Sequence, residues 1–457
     1  MSKLWGARFK KKTDPLADKF TFSIAYDHRL AKYDVVGSIA HARMLGHQGI
    51  IPKSDEQKIV AGLTRILGQI KAGKFKFDPK AEDVHTNIQT ALKALIGKPA
   101  DKLHTARSRN DQIVLDVKLY CLDEIDQIIA AAASLQKAIV AFARANHGVI
   151  IPAYTHLQSA QVVLLAHHML AYVEMLERDK GRLQDCLKRL DSMPLGSCAL
   201  SGTSLKVDRN YVAKLLGFAT VAQNSMDAVS DRDFIIEAVS ACAIVAVHLS
   251  RISEDLILWA TREFNLVDID WAFCTGSSIM PHKKNPDVLE LVRGSSAKVI
   301  ARVTELMVLL KGLPLTYNRD LQLDKPPLFD ALITTKDMLL VLAKVFAGLQ
   351  VKKGSAAARV LDENFFCADA MEYLIKKGAS HRDAHDILGA MVKDCLDKGR
   401  KISSLTEKEL KTYAPQFSGD VKKLFNPQMS VKMKHSSGST NPVLVEKQLN
   451  FWLKKLK

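Results

Sequence analysis

The chain has 457 residues, 47% hydrophobic and 25% charged, a composition typical of a globular protein with more than one domain. Its 65 lysines and arginines outnumber the 49 aspartates and glutamates and leave a formal charge of +16. Because the basic residues are dispersed in short runs such as residues 10–12, we interpret the charge as a lysine-rich surface and expect no specific nucleic-acid binding.

The cysteines and the apolar runs indicate a cytoplasmic protein. The seven cysteines are odd in number and show no CxxC spacing, which argues against a disulfide framework or a zinc site. The first residues contain no apolar signal-like region, and the most apolar later run, residues 238–249, has only 12 residues. A run of that length is too short to span a membrane, so we expect no membrane association.

In chain order, the first part is predicted to be an N-terminal helical domain, residues 1–106. Its short helical patterns are interrupted by GIIPKS and KAGKFKFDPK. A central domain, residues 107–358, follows. Its five long segments with apolar residues every three or four positions are predicted to be helices over residues 112–144, 161–191, 232–263, 288–310 and 329–349.

Helices of about 30 residues extend about 45 Å and usually pack against one another. No segment between them shows a clear strand alternation, so we predict a mainly α protein with a central bundle of long helices. After residue 358 the apolar periods shorten, which predicts a small C-terminal helical domain, residues 359–457, with a polar loop KHSSGSTNP at residues 434–442.

The stretch TGSSIMPHKKNPD, residues 275–287, separates two of the long apolar segments. Its last three residues predict a helix start, with Asn285 as the cap, Pro286 at the first helical position and Asp287 where the helix dipole favours a negative charge. A helix N-terminus beside Lys283 attracts an anion. The stretch therefore predicts a carboxylate-binding loop.

Three small residues, Gly276, Ser277 and Ser278, precede that cationic end. Gly276 is expected to take a positive φ and to let the loop move. A serine alkoxide is ordinarily inaccessible at neutral pH, but cationic neighbours favour the charged form. Removing a proton next to a carboxylate creates a dianion, which fixed positive charge stabilises. The loop thus predicts a lyase with a carbanion intermediate, although such a loop before a capped helix is also a common structural element.

Longer motifs decide between these interpretations. The stretch GSSIMPHKKNPDVLE resembles the signature of the fumarase/aspartase superfamily of lyases. Other stretches, in the expected order over residues 4–330, are similar to the argininosuccinate lyase family. They are LWGARF, SIAYDHRLAKYDVVGSIAHARML, EDVHTN, LHTARSRNDQ, YTHLQSAQ, MDAVSDRDF and YNRDLQLDKPPLFD, which begin at residues 4, 23, 82, 103, 154, 226 and 317.

This resemblance implies a three-domain fumarase/aspartase-like fold and a carbon–nitrogen lyase. The implied reaction is the reversible β-elimination of argininosuccinate to L-arginine and fumarate, the last step of arginine biosynthesis, through a carbanion (aci-carboxylate) intermediate. It also implies that no cofactor or metal takes part, and that the protein is a homotetramer whose active sites each combine loops from three subunits.

The resemblance also assigns catalytic positions. Ser277 matches the catalytic base, and Lys283 and Asn285 match contacts to the carboxylate and the intermediate. His156 matches the proposed general acid or its relay, and Glu290 matches the charge partner of that histidine. A carboxylate beside an imidazole orients the ring and stabilises its protonated form, as acid–base catalysis requires.

Further positions match substrate contacts of the family. An arginine fork such as that of Arg109 can hold a carboxylate through two hydrogen bonds, and an acid such as Asp27 suits the cationic arginine end of the substrate. The matched substrate-binding residues are Ser23, Asp27, His85, Ser108, Arg109, Asn110, Thr155, Tyr317, Gln322 and Lys325.

The chain departs from the family pattern at several positions. The family usually has Gly where Ala106 and Cys198 stand, Ala at Ser201, Glu at Gln89 and an acidic residue at Leu323. We expect Ala106 to tighten the substrate loop and Leu323 to change the local charge. The resemblance is weakest in the C-terminal domain, where the polar loop at residues 434–442 differs from the usual glycine-rich pattern.

Three alternatives remain open at this point. The substrate could be another fumarate-releasing compound such as adenylosuccinate, aspartate or malate, although HTARSRNDQ argues against these. The chain could be a non-enzymatic, crystallin-like structural protein, although the matched catalytic residues are complete. A basic nucleic-acid-binding protein is the third alternative, and salt-sensitive retention on nucleic acid would support it.

Overall fold

A computed structural model describes residues 13–457, so the block that begins at residue 4 lies outside the described residues. The predicted mainly α fold is confirmed. The helices within the described residues are α1 (Pro15–Thr21), α2 (Ile24–Asp27), α3 (Ala31–His47), α4 (Lys53–Lys71), α5 (Val84–Ile96), α6 (Arg109–Ala145), α7 (Leu165–Leu190), α8 (Arg209–Leu216), α9 (Ser225–Ser230), α10 (Asp233–Ala260), α11 (Asp287–Leu310), α12 (Lys325–Gly348), α13 (Lys353–Arg359), α14 (Cys367–Lys376), α15 (His381–Asp397), α16 (Glu407–Tyr413), α17 (Pro427–Lys432) and α18 (Pro442–Lys455).

The five long helices expected from the apolar periods are all present as α6, α7, α10, α11 and α12. The first of them, α6, has 37 residues and starts at Arg109, three residues before the predicted start. In contrast, α7 begins only at Leu165, because the preceding residues, predicted as helix, belong to a strand.

The expectation that no strands interrupt the long helices is wrong. In the described part of the chain six short strands form three pairs, with order β1-β2, β3-β4 and β5-β6. The first pair is an antiparallel hairpin between α6 and α7. Exposed residues prevail only in the first half of its second strand and buried ones only in the second half, so the sequence carries a weak alternation there. The strands are β1 (Ile150–Thr155), β2 (Gln158–Leu164), β3 (Ser192–Met193), β4 (Thr220–Val221), β5 (Val267–Asp268) and β6 (Gln350–Val351).

The chain forms two compact units. The first unit takes in the chain up to Ile128 together with Gly181–Ala243 and Lys298–Thr335. In its core, Tyr120 of α6 packs edge-on against Phe329 of α12, with ring centroids 4.8 Å apart. The parallel pair β3-β4 also belongs to this unit.

The second unit comprises Ile129–Lys180, Ile244–Ala297 and Lys336–Lys457. Phe142 of α6 packs against Phe346 of α12, and the hydroxyl of Tyr172 on α7 donates a hydrogen bond of 2.5 Å to Asp255 on α10. The C-terminal helices α14, α15 and α16 enclose a separate apolar cluster within this unit. The predicted division into three domains at residues 106 and 358 stays a prediction.

Two long helices, α6 and α10, bear on the expectation that no segment of the chain spans a membrane. By length and composition, α6 and α10 could each cross a bilayer, with mean hydropathy of 1.4 and 1.7 over their most apolar windows. The helix α10 has 28 residues, whereas the apolar run found in the sequence has 12. Helical turns that mix polar and apolar residues extend it at both ends. Half of each window is buried inside the protein. Core helices commonly have this character, so the two helices are weak evidence for a membrane span.

Candidate active site

The first unit contains a cavity of about 800 Å³ that collects six of the predicted substrate-binding residues. Cations and acids both line it, as a ligand with carboxylates and a guanidinium would require. The predicted residues in its wall are Ser23, His85, Arg109, Asn110, Tyr317 and Gln322. The ionisable groups that the sequence interpretation missed are Asp18, Lys80, Glu82, Asp83, Asp101, His104, Arg107 and Arg319.

Asp27 lies behind this cavity wall. Its side chain is fully buried. One carboxylate oxygen accepts the hydroxyl of Ser23 at 2.6 Å, and the other accepts the backbone N–H of Val84 at 3.2 Å, at the start of α5. Burial raises the pKa of Asp27, although the Ser23 hydrogen bond opposes the shift. In this structure Asp27 positions Ser23 and α5, and it presents no free carboxylate for a cationic ligand.

The predicted triplet at the start of α6 is organised by an acid that the sequence interpretation missed, Asp111. One oxygen of Asp111 accepts the N–H of Ser108 at 3.0 Å, and the other accepts the N–H groups of Gly196 and Cys198 at 2.9 and 2.8 Å. Burial raises the pKa of Asp111 to about 6, against the effect of these three donors. Its neighbour Asn110 donates to the carbonyl of Ala199 at 3.0 Å. The sequence signal was present, since Asp111 lies inside the matched block LHTARSRNDQ.

Arg109 is half-buried in the cavity wall. Its guanidinium donates to Gln112 at 3.0 Å and lies 3.5 Å from the carboxylate of Asp83. These two contacts use only part of the five N–H donors of an arginine. The remaining donors are available for a carboxylate, and the predicted contact of Arg109 with substrate stays a prediction.

Two predicted residues near the start of α12 differ in accessibility. Lys325 is fully buried, and its ammonium donates to Asp324 at 2.7 Å and to the carbonyl of Leu321 at 3.2 Å. Burial lowers the pKa of Lys325, and the charge of Asp324 opposes this shift. Asp324 also pairs with Arg232. Lys325 therefore does not line the cavity here, and its predicted substrate contact stays a prediction.

Tyr317 and Gln322 lie in the cavity wall as predicted. Burial raises the pKa of Tyr317, so its hydroxyl stays a proton donor at neutral pH. The side-chain amide of Gln322 donates to the carbonyl of Thr21 at 3.0 Å. This bond fixes the amide plane and leaves its oxygen for another donor.

The second unit holds the loop that contains Ser277. The loop is closed at its base by two backbone hydrogen bonds between Thr275 and Asn285, of 3.1 and 2.8 Å. The side chain of Asn285 donates back to the carbonyl of Gly276 at 3.2 Å. The helix α11 begins only at Asp287, with Pro286 directly before it, so the predictions that Asn285 caps the helix and that Pro286 is its first residue are wrong. Gly276 does not adopt a positive φ, so that expectation is wrong as well.

The hydroxyl oxygen of Ser277 accepts two backbone N–H groups, from Ile279 at 3.3 Å and from Met280 at 3.0 Å. Donors aimed at one oxygen stabilise it most when it is negatively charged. The two lysines of the loop differ. Lys284 lies 3.2 Å from Asp268, whereas Lys283 is exposed and forms no ion pair with any residue in the described part of the chain. Lys283 is thus the lysine available to an external anion, and its predicted contact with a substrate carboxylate stays a prediction.

The predicted His156 occupies the tip of the β1-β2 hairpin. Thr155 pairs with Gln158, so His156 and Leu157 form a two-residue turn, and both have φ of 56°. Such turns normally use Asn and Gly, because left-handed backbone is costly for a bulky residue. Strain of this kind is concentrated at functional sites. His156 is exposed, as is Thr155.

Glu290 lies exposed in the first turn of α11. Between residues 13 and 457 no hydrogen bond or ion pair joins it to His156, so their predicted pairing stays a prediction. The chain therefore presents two separate sets of predicted residues, one in each unit.

Comparison with known proteins decides the family. A general lyase family model matches residues 7–301, and a model of the argininosuccinate lyase C-terminal region matches residues 366–432. Argininosuccinate lyase of Pelotomaculum thermopropionicum is 48% identical over 442 residues, which is 97% of this chain and 96% of that protein. The enzyme of Geobacter metallireducens is 47% identical over 438 residues, 96% of each chain. The chain belongs to the argininosuccinate lyase family.

The C-terminal match extends the argininosuccinate lyase family likeness into the region where the sequence motifs were weakest. Solved structures agree with the fold. A variant of EDDS lyase with bound fumarate is 25% identical, has a TM-score of 0.83, and covers 98% of this chain and 91% of that one. A fumarate lyase:delta crystallin from Brucella melitensis is 20% identical with a TM-score of 0.73, over 90% of this chain and 95% of that one, and shows the fold alone.

Proposed function

We propose that this protein cleaves argininosuccinate reversibly to L-arginine and fumarate, as the last step of arginine biosynthesis in the cytoplasm. The observation that carries the proposal is the 47–48% identity to argininosuccinate lyases over nearly the full length of both chains. The residues alone supply the chemistry, so the proposal includes no cofactor and no metal.

The first chemical step is removal of a proton from the succinate carbon next to a carboxylate. Ser277 is the base, because two backbone N–H groups already converge on its oxygen and favour the alkoxide. The electron pair left on carbon delocalises into the carboxylate and produces the dianion. Lys283 and Asn285 stabilise this charge at the start of α11.

In the second step the bond between the other succinate carbon and the guanidino nitrogen breaks. The electron pair of the dianion forms the double bond of fumarate, and the pair of the broken bond goes to the nitrogen. That nitrogen takes a proton from His156, whose charge is supported by Glu290. Arginine and fumarate are then both complete, with the proton balance carried by Ser277 and His156.

The cavity of the first unit is proposed to bind the rest of the substrate. Arg109 suits a carboxylate through its free N–H donors, and the acids in the wall suit the guanidinium. The proposed substrate-binding residues are Ser23, Asp27, His85, Ser108, Arg109, Asn110, Thr155, Asn285, Tyr317, Gln322 and Lys325. For Asp27 and Lys325 the buried positions favour an indirect role, through Ser23 and Asp324.

We further propose a homotetramer in which each active site combines loops from three subunits. On one side of α11 the residues Ile300, Met307 and Val308 are 43%, 51% and 54% exposed. An apolar helix face of this kind needs a partner, and identical subunits supply one by symmetry. Assembly from several subunits also accounts for the missing contact between His156 and Glu290 within one chain.

The assay that tests the activity mixes purified protein with argininosuccinate and measures fumarate by ultraviolet absorbance and free arginine separately. Equal release of both supports the proposal. Fumarate release from a different amine, without arginine, would instead favour another lyase of the superfamily. A folded tetramer that releases neither product would favour the structural, crystallin-like alternative.

Ser277→Ala is expected to lower kcat by about 1,000-fold or more, because a positioned base contributes factors of roughly 10²–10⁴. The melting temperature should stay unchanged, since the side chain lies in a partly exposed loop. The matched control is Ser278→Ala, which removes the neighbouring exposed hydroxyl and should keep most of the activity. If Ser277→Ala retained a tenth or more of the wild-type kcat, Ser277 would not be the base.

A further inference from the structure

A cluster of three buried ionisable side chains lies in the first unit, at the wall of the cavity. Asp34 of α3 and Asp116 of α6 are each 1% exposed, and His85 of α5 is 2% exposed. The Nδ1 atom of His85 lies 3.1 Å from Asp34 and 3.6 Å from Asp116. The proposed function uses His85 but neither of these two acids.

The hydrogen bonds of the cluster are distributed unequally. Asp34 accepts from both His85 and the side-chain amide of Gln112. In contrast, both oxygens of Asp116 and the Nε2 atom of His85 are buried and have no hydrogen-bond partner. A buried carboxylate with no donor is costly, whereas a neutral carboxylic acid can itself donate to an adjacent carboxylate.

Several charged groups face the cluster, and their signs determine how it ionises. Burial and the negative charge of Asp34 both raise the pKa of Asp116 well above its usual range. Burial alone would also raise the pKa of Asp34, but the adjacent His85 and the guanidinium of Arg107 reverse this and lower it. One carboxylate oxygen of Asp34 and one of Asp116 lie within 4.8 Å of each other. Two carboxylates at this distance cannot both ionise easily, so one proton stays with the pair. The other facing groups are Asp27, Asp83, His104 and Arg109.

We propose that Asp34 and Asp116 share one proton and one negative charge, and that this acid pair fixes His85 with its Nδ1–H toward the pair and its Nε2 free for substrate. His85 lines the cavity, and an imidazole held in this way presents its Nε2 atom to the substrate in a fixed orientation. Asp34 and Asp116 are then positioning residues. The role toward substrate rests on the proposed function, whereas the shared proton does not.

The same three side chains could instead hold a divalent cation, since their ligand atoms lie within 4.8 Å of one another. Two features disfavour this. The amide of Gln112 already donates to the Asp34 oxygen that faces His85, and Arg107 contributes a positive charge close to the cluster. A proton shared by Asp34 and Asp116 adds one positive charge to the cluster, whereas a divalent cation adds two beside Arg107. The proton is therefore the favoured occupant.

A double-mutant cycle tests the proposal. Asp34→Asn leaves Asp116 free to ionise near His85, and Asp116→Asn replaces a neutral acid by a neutral amide, so each variant keeps one negative charge. We expect each to retain kcat/KM within about tenfold of wild type, and the double variant to fall about 10- to 100-fold below the product of the single effects. Additive effects would overturn the proposal.

The split between KM and kcat separates positioning from a structural role. A misplaced His85 weakens the contact between its Nε2 atom and the substrate, so the double variant should raise KM while its melting temperature stays close to that of the wild type. The single variants should keep KM close to the wild-type value. An unchanged KM in a folded double variant would show that the pair does not act through His85.

Two further measurements need no substrate. Infrared spectroscopy at neutral pH should show the carbonyl band of a buried neutral carboxyl group, absent in Asp116→Asn, even if the chain does not cleave argininosuccinate or the double variant fails to fold. A missing band would overturn the shared proton. Stoichiometric metal in the purified wild type, lost in either single variant, would show that a cation occupies the site instead.

Discussion

At the scale of single residues, the left-handed backbone of Ala106 lowers the free energy of unfolding by a measurable amount. Its φ is 56°, at a position where the argininosuccinate lyase family usually has glycine. Left-handed backbone costs a residue with a Cβ roughly 1–2 kcal/mol, of which the lower entropy of the unfolded alanine recovers about 0.4–1 kcal/mol. Ala106→Gly should therefore raise the free energy of unfolding by about 0.5–1 kcal/mol.

Chemical denaturation of the two proteins measures this difference. The control is Ala94→Gly on the exposed face of α5, which has helical backbone and should lose about 1 kcal/mol of stability. Opposite signs at the two positions are the expected result. Equal losses would mean that the backbone at Ala106 carries no strain.

The second departure of this kind, Cys198, has φ of 53°. Its thiol donates a long hydrogen bond of 3.3 Å to the carbonyl of Ala106. The two strained positions therefore touch each other beside the triplet at the start of α6. This contact gives the cysteine a role that a glycine could not fill, which is a physical reason for the two departures to occur together.

The sequence predicted the site unevenly. The choice of Ser277 as the base came from the family resemblance, but an anion-binding loop with Lys283 was predictable from local chemistry alone, because a lysine before a helix start suggests an anion site. Asp111 and Asp116 were not, since their partners lie at distant positions of the chain and only folding brings them together. The strain at His156 was likewise hidden, because it depends on a two-residue turn that the strand pairing imposes.

At the scale of elements, α3 and the segment after α5 are joined by a buried histidine, His41. It is fully buried, and its Nε2–H donates to the carbonyl of Thr105 at 2.9 Å, while Nδ1 has no partner. Burial lowers the pKa of His41 to about 3, and the nearby Arg107 contributes to the same shift. The imidazole is therefore neutral in the folded protein at neutral and mildly acidic pH.

This gives a pH dependence with a definite sign. Below about pH 6.5 the unfolded chain binds a proton at His41 that the folded chain does not, so stability present above that pH is lost as the pH falls toward 3. The loss is about 1.4 kcal/mol per pH unit. Carboxyl groups with a raised pKa, such as Asp111, act in the opposite direction, so the comparison must isolate one residue.

His41→Gln keeps a donor for Thr105 and removes the titration. Melting temperatures measured at pH 7.5 and pH 5 should fall less on acidification for this variant than for the wild type. The exposed His381, at the start of α15, supplies the control His381→Gln, which should leave the pH dependence unchanged. If His41→Gln and wild type lost the same stability on acidification, the imidazole would not be neutral in the folded state.

Elements with a long, regular apolar period were predicted correctly, and elements without one were missed. All five long helices were recognised, because an apolar residue every three or four positions over several turns is the pattern of a helix with one buried face and seldom occurs in strands or loops. The β1-β2 hairpin was missed, since the first half of its second strand is mostly polar and exposed and the second half is apolar, so no regular alternation runs through the strand. Its pairing is determined by β1 and by the turn at His156, which no pattern within β2 reveals.

At the scale of the whole molecule, the two sets of site residues belong to different units of the chain. The cavity with Arg109 belongs to one unit, and the loop with Ser277 belongs to the other. Under the proposed tetramer, a complete active site takes the two sets from different subunits. This arrangement can be tested by assembling tetramers from two different inactive variants. A subunit with a defective cavity can then supply an intact loop, and a subunit with a defective loop can supply an intact cavity.

Co-expression of Arg109→Ala and Ser277→Ala subunits should produce tetramers with measurable activity, although each variant alone is nearly inactive. With random assembly, about a quarter of the sites receive an intact cavity from one subunit and an intact loop from another. The control pairs Ser277→Ala with Lys283→Ala, two defects in the same loop, and should recover nothing. Light scattering establishes the tetramer in each case. Tetramers of the first pair without recovered activity would place both sets in the same subunit.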